Sequence, residues 1–324
     1  MQVFAVAVRM WIIPTIQLGK QTEMTEAVSD RYSDLDSWSA SDAVEAMHEG
    51  QMAALAAIRP ALPDIAAAVE AAAGRLGDKG RLVYVGAGTS GRLAVQDGAE
   101  LTPTFNWSTE RTVFCMAGGL EALVNSVEGA EDSVDDAAQE MHQHNVGPND
   151  VVIAVAASGR TPSTLSALRE AKRCGALTIG IAMNAATPII KDADYAILAE
   201  TGSELVAGST RMKAGTAQKV ILNMISTGIM VQLGRVYGGY MVDMVVSNQK
   251  LAERAVRMVS DIAECSADVA RKSLAASNNN IKEAVLISMG HSQPVAAEML
   301  AEKSGNLRQV MTSLKATDGR TESV

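Results

Sequence analysis

Aromatic rings and imidazoles are scarce in this chain of 324 residues, which has three Phe, three Trp, five Tyr and four histidines, His48, His142, His144 and His291. A single-strand nucleic-acid binder needs stacking platforms in a basic groove. Here the formal net charge is −9 and the pI about 5.1, so nucleic acid is not an expected partner. A histidine triad or a three-histidine metal centre would have to draw on those four residues. His142 and His144, two apart, would point to different sides of a helix, so no metal is expected and acid–base work falls to carboxylates. Cysteine is equally sparse: Cys115, Cys174 and Cys265 are odd in number, far apart and in apolar surroundings. They read as buried thiols of a reducing, cytoplasmic compartment, without a disulfide or zinc framework. The amino-terminal stretch MQVFAVAVRMWIIPTI is apolar, but Arg9 and Pro14 interrupt it and it lacks a small-residue cleavage site. It is too short to span a bilayer, and no membrane association is expected. Composition turns polar at Met24, in MTEAVSDRYSDLD, so residues 1–23 read as an extension ahead of the natural start.

What is present is enough apolar material for a filled core, 48% of residues with mean hydropathy +0.09. Residues 41–76 run in Ala-rich helical pattern broken by Pro60 and Pro63, giving a helical arm over 24–69. The texture then alternates: strand 82–85, glycine loop, helix from about Arg92; strand 112–116, helix from about Leu120; strand 151–156, helix 163–174; strands 177–182 and 195–199. Short apolar strands alternating with helices predict an α/β fold, a parallel sheet sandwiched by helices, over about 70–235. A loop over 200–215 leads to an almost unbroken apolar helix, 217–233, which must be buried against the sheet and a second element or subunit. Ala-rich helices after Asn248 form a small carboxy-terminal helical unit, 236–324, ending in a polar tail.

Two strand–loop–helix junctions share a design, Gly86-Ala87-Gly88-Thr89-Ser90-Gly91-Arg92 and Ala156-Ala157-Ser158-Gly159-Arg160-Thr161. Ligands in open parallel sheets sit beyond the carboxyl ends of strands, so both loops can line one crevice. The first is a literal GxGxxG, but a dinucleotide site also needs an acid closing the second strand, and Val113-Phe114-Cys115-Met116-Ala117-Gly118 supplies none. No nucleotide cofactor is expected. The loops offer backbone amides at helix amino termini with Ser and Thr hydroxyls, a cradle for a phosphate dianion. Pro162 fits the first turn of the following helix, where its missing N–H does no harm. An ordinary capped helix would look the same.

These residues resemble the phosphate loop of the sugar isomerase (SIS) domain. The resemblance is closer still to the N-acetylmuramic acid 6-phosphate etherases, in Tyr84-Val85-Gly86-Ala87-Gly88-Thr89-Ser90-Gly91-Arg92-Leu93, Ala99-Glu100, Val127-Glu128-Gly129-Ala130-Glu131-Asp132 and Ser209-Thr210-Arg211-Met212-Lys213-Ala214-Gly215-Thr216. It spans about residues 25–314. It implies an SIS fold, a homodimer, no metal, a phosphorylated amino-sugar substrate, and cleavage of its lactyl ether to D-lactate and N-acetylglucosamine 6-phosphate. Two features depart from the pattern. Ala156 stands where SIS domains generally carry a phosphate-binding serine, and Asp30-Arg31-Tyr32 replaces the Arg-Asn-Pro of many etherases.

An ether β to an aldehyde breaks when the proton between them is removed, so a ring-opened sugar needs a base at C2 and an acid at the lactyl oxygen. Two carboxylates with pKa values split by their surroundings suffice. The resemblance implies that Glu100 protonates departing lactate and later activates water, and that Glu131 takes the C2 proton. The residues alone do not choose among Glu128, Glu131, Asp132, Asp135 and Asp136, which also read as an acidic helix start. Thr89, Ser90, Ser158, Gly159 and Thr161 are expected at the phosphate, with Arg92 and Arg160 placed for ligand charge. Ser209, Arg211 and Lys213 are expected to bind substrate carboxylate or phosphate, although a solvated loop or subunit contact fits them too. His291 is expected to be structural. A non-catalytic sugar-phosphate sensor and an aldose–ketose isomerase are the competing readings.

Overall fold

The computed structural model describes residues 24–125 and 127–321, so the expected extension over 1–23 lies outside the described residues. Five strands, β1 (Leu82–Gly86), β2 (Thr112–Met116), β3 (Val151–Val155), β4 (Leu177–Ala182) and β5 (Tyr195–Leu198), pair in parallel in the order β2-β1-β3-β4-β5. Every residue of β1, β3 and β4 is buried, as a strand covered on both faces requires.

Alternate residues feed two cores. Leu82, Tyr84, Ile153, Ile179 and Ile181 pack with α1 (Ala40–Ile58), α2 (Leu62–Leu76), α3 (Gly88–Ala99), the short α4 (Leu101–Phe105) and, later in the chain, the long helix Lys213–Gln232. Val83, Val85, Val152 and Ala154 face α5 (Val134–Gln143), α6 (Pro162–Arg173) and α7 (Pro188–Asp192). The long helix is α8, and Ile221, Leu222, Ile225 and Ile229 on it are fully buried. Each such side chain contributes about 1.5–3 kcal/mol. The reading of a helix apolar all round needs correction: Lys219, Asn223 and Thr227, four apart, form an outward polar stripe of which Lys219 and Thr227 are exposed.

The run Ala40–Leu76 is long and apolar enough to cross a bilayer by composition. Its face through Ala54, Ile58, Ile65, Ala68 and Ala72 instead packs in the core beside α8. The boundary expected between arm and sheet unit at 69–70 falls inside α2.

A third core gathers α9 (Gln249–Ala263), α10 (Ala267–Ala276), α11 (Ile281–Ser288), α12 (Gln293–Glu302) and α13 (Leu307–Thr321) around Met258, Val259, Val285 and Leu307. Asn248, Ser266 and Asn280 cap the first three by accepting from the amides of Leu251, Val269 and Glu283. The expected polar tail is thus largely helix. Lys282, buried here, donates to Asp243 (2.6 Å) and to the Gly305 carbonyl (2.7 Å).

Candidate active site

The chain turns from one direction to the other between β1 and β3, and their carboxyl ends carry the two expected loops. At the first, the helix starts at Gly88 rather than Arg92, so Thr89 and Ser90 lie in the first turn of α3. Gly86 and Gly91 permit this close approach: a Cβ on Gly91 would lie 2.7 Å from the Gly86 carbonyl oxygen. Ser90 is buried and donates to Gln218 Oε1 of α8 (3.0 Å). At the second loop, Gly159 has φ +67°, and the backbone amide of Arg160 donates to Ser158 Oγ (3.1 Å). Thr161, partly buried, stands at the N-cap position of α6 without a side-chain capping bond, Arg160 is exposed, and Ala156 is buried.

The third expected segment comes to the same rim. Its helix begins at Lys213, four residues earlier than the sequence pattern predicts, and a Cβ on Gly215 would meet Thr89 Cγ2 at 3.5 Å. The α8 amino terminus is already capped, because buried Glu204 accepts from the amides of Lys213 and Ala214, both at 2.9 Å. The Lys213 ammonium donates to the Ser203 carbonyl (2.9 Å), and burial lowers its pKa against the opposing pull of Glu204. Ser209 is half-buried and Arg211 exposed. Thr25, fully buried, joins this rim through Asn184, whose amide also donates to the Ala157 carbonyl (3.0 Å).

The helix expected from about Leu120 is replaced by two single turns, Leu120–Leu123 and Ala130–Asp132, ahead of α5. Gly118 and Gly119, at positive φ, turn the chain ahead of Leu120, and Gly129, also at positive φ, separates the two turns. Glu131 therefore sits on a short exposed turn. It shares a cavity of about 260 Å³ with Ala87, Gly88 and Arg92. Arg92 braces the wall, donating through Nε to the carbonyls of Ala122 (3.0 Å) and Leu123 (3.1 Å). An adjoining cavity of about 500 Å³, sharing Met116, Ala117 and residues 127–130, runs between α5 and α6. Burial, and then Asp136, raise the Glu140 pKa in its wall. Ser163 and Thr164 also line it; their hydroxyls are buried and have no hydrogen-bond partner among the described residues. Both belong to the hydroxyl-bearing run 158–164 that follows β3, although the phosphate ligands expected from the sequence stop at Thr161. Two hydroxyls in succession after Pro162 were the available signal.

Glu100 lies elsewhere. It follows the last residue of α3, and twelve residues of helix carry it about 18 Å along the axis from the glycine loop. It is exposed and lines a separate cavity of about 410 Å³ between α3 and α8, with Asp97, Lys219 and Asn223. The segments with Thr89 and Ser90 and with Ser158, Gly159, Arg160 and Thr161 thus follow the carboxyl ends of neighbouring strands, and the one with Ser209, Arg211 and Lys213 abuts Thr89 through Gly215. Ser90 and Lys213 turn their polar ends to Gln218 and Ser203, and Arg92 and Glu131 share a cavity. The chain does not bring Glu100 to them. His291 is only partly buried, outside these three cavities.

A five-stranded parallel sheet covered by helices, with hydroxyl-bearing loops at its switch point, is the architecture of a sugar isomerase (SIS) domain, here followed by a helical unit. Residues 64–172 match the N-terminal SIS domain of glucokinase regulatory protein, and residues 238–308 match that protein's C-terminal lid domain. The chain is 45% identical over 288 residues to the N-acetylmuramic acid 6-phosphate etherase of Deinococcus radiodurans, covering 89% of this chain and 94% of that one. It is 42% identical over 296 residues to N-acetylmuramic acid 6-phosphate etherase 1 of Bacillus licheniformis, covering 91% and 97%. A phosphoheptose isomerase structure from Francisella tularensis superposes with TM-score 0.46 at 18% identity, over 60% of this chain and all of that one. The chain belongs to the N-acetylmuramic acid 6-phosphate etherase family.

Proposed function

We propose that this protein cleaves the lactyl ether of N-acetylmuramic acid 6-phosphate, eliminating D-lactate and hydrating the alkene to give N-acetylglucosamine 6-phosphate. The observation that carries the reading is the juxtaposition, at the β1–β3 switch point, of a Ser/Thr/Gly rim fit for a phosphate with an accessible carboxylate, Glu131, in the adjoining cavity. The full-length likeness to the etherases supports it. In this reading the 158–161 loop and the first turn of α3 hold the phosphate through amides and hydroxyls. Glu131 takes the C2 proton of the ring-opened sugar and Glu100 protonates the lactyl oxygen as the C3–O bond breaks; the conjugate base of Glu100 then takes a proton from the water that adds at C3, while Glu131 returns a proton to C2.

A single protomer keeps the two glutamates in different cavities, so one substrate meets both only if a second copy supplies one of them. This supports a homodimer with sites shared between protomers. On α1, Val44, Met52 and Leu55 stand exposed on one side, with His48 and Gln51 between them, a mixed surface that a second copy could cover. Cys115 is buried, Cys174 and Cys265 only partly so, and none of the three is disulfide-bonded, which supports a protein kept in a reducing cytoplasm. The direct test is to incubate the pure protein with N-acetylmuramic acid 6-phosphate and assay lactate. Release of D-lactate is expected, and a folded protein that releases none overturns the assignment.

A further inference from the structure

The etherase chemistry leaves one substrate group without a partner, the lactyl carboxylate. It is separated from the ether oxygen only by the lactyl α-carbon, so whichever residue protonates that oxygen must have a carboxylate-binding cation close by. The expected cations are placed elsewhere: Lys213 is tied to Ser203, Arg92 braces the 122–125 turn, and Arg160 and Arg211 lie at the phosphate rim. Among the described residues lining the Glu100 cavity there is one cationic side chain, Lys219.

Its position is built from the core outward. Asp97, 6% exposed, accepts from Tyr84 Oη (3.0 Å), Ser226 Oγ (3.0 Å) and Asn223 Nδ2 (2.6 Å). A carboxylate can only accept, so Asn223 must turn its NH₂ inward, and its carbonyl oxygen is left facing the cavity. That oxygen accepts from the Lys219 ammonium. Burial raises the Asp97 pKa, while its three donors and Lys219 hold it down. The chain Tyr84–Asp97–Asn223–Lys219 fixes a flexible amine over the cavity that holds Glu100, where a free surface lysine would sample many rotamers.

We propose that Lys219 binds the lactyl carboxylate, so that Lys219 and Glu100 together form the half of the active site that grips and releases the leaving group. The inference rests on Glu100 being the acid of the etherase reaction. Lys219 is then the specificity residue that separates substrate from product, since the product sugar lacks the lactyl arm. Asn223 and Asp97 are positioning residues behind it.

The test compares Lys219→Met and Lys219→Arg with the unaltered protein. Steady-state rates are measured on N-acetylmuramic acid 6-phosphate, with inhibition by N-acetylglucosamine 6-phosphate as the second readout. Loss of a charge-assisted contact lowers kcat/KM by roughly 10- to 100-fold in Lys219→Met. Most of the loss should fall in KM, and Lys219→Arg should recover the larger part. Inhibition by N-acetylglucosamine 6-phosphate should stay within about twofold, which also shows the variant is folded and its phosphate rim intact. An unchanged KM, or a parallel weakening of the product, overturns the assignment while leaving the etherase reading standing. Absence of lactate release by the unaltered protein removes the etherase reading itself, and this inference with it.

Discussion

Substituting Gly159 with alanine tests whether the second loop has the backbone that a phosphate cradle requires. Gly159 sits at φ +67°, which costs a residue with a Cβ about 1–2 kcal/mol. The new Cβ would also lie 2.3 Å from Thr187 Oγ1, 2.6 Å from Thr187 Cβ and 2.9 Å from Thr187 Cγ2. Thr187 is fully buried, so it has nowhere to withdraw, and overpacking of this kind costs about 1–3 kcal/mol. The two contributions sum to about 2–5 kcal/mol, which for a chain of 324 residues lowers Tm by roughly 3–7 °C. Thr187→Gly removes all three clashing atoms and leaves only the φ contribution, so the double variant should show a coupling of about 1–3 kcal/mol. The assay is urea unfolding of the four proteins, with binding of the phosphorylated sugar measured in parallel. A Gly159→Ala variant within about 0.5 kcal/mol of the parent, or a coupling inside the usual additivity error of about 0.3–0.5 kcal/mol, refutes the geometry.

Two further substitutions probe the cavity wall and the lid. Glu140 has a raised pKa in the folded state, so its contribution is fully present below the ordinary glutamate value and is lost as pH rises through the folded one. Glu140→Gln should therefore raise Tm at pH 7, with the gain vanishing near pH 3; a gain that grows toward acid contradicts this. Lys282→Met strands Asp243, whose pKa burial raises and Lys282 holds down, and leaves it Arg235 at 3.8 Å as its ion-pair partner among the described residues. Loss of about 3–5 kcal/mol in chemical unfolding is expected, and a change below about 1 kcal/mol contradicts the pairing.

The sheet was legible because β1, β3 and β4 are short runs of apolar residues bounded by turns, the pattern a doubly covered strand must have. The two strand–loop–helix junctions were legible for a related reason, since a cluster of Gly, Ser and Thr between an apolar run and a helical pattern marks where a parallel strand ends and its helix begins. The turn carrying Glu131 was misread as part of a helix, because side-chain periodicity does not register three glycines at positive φ. The distance from Glu100 to the glycine loop could have been foreseen, as helix rise alone sets it once α3 is recognised. The Asp97–Asn223–Lys219 chain could not: Asp97 and Asn223 are 126 residues apart and meet only when α3 packs on α8.

The measurement that bears most directly on the whole account is the reaction of N-acetylmuramic acid 6-phosphate in deuterated water. Each D-lactate released should be matched by an N-acetylglucosamine 6-phosphate carrying deuterium at C2, and Glu100→Gln should stop lactate release while C2 exchange into the substrate persists. Lactate released with no label at C2, or C2 exchange lost in Glu100→Gln to the same degree as cleavage, contradicts elimination by two carboxylates in separate roles.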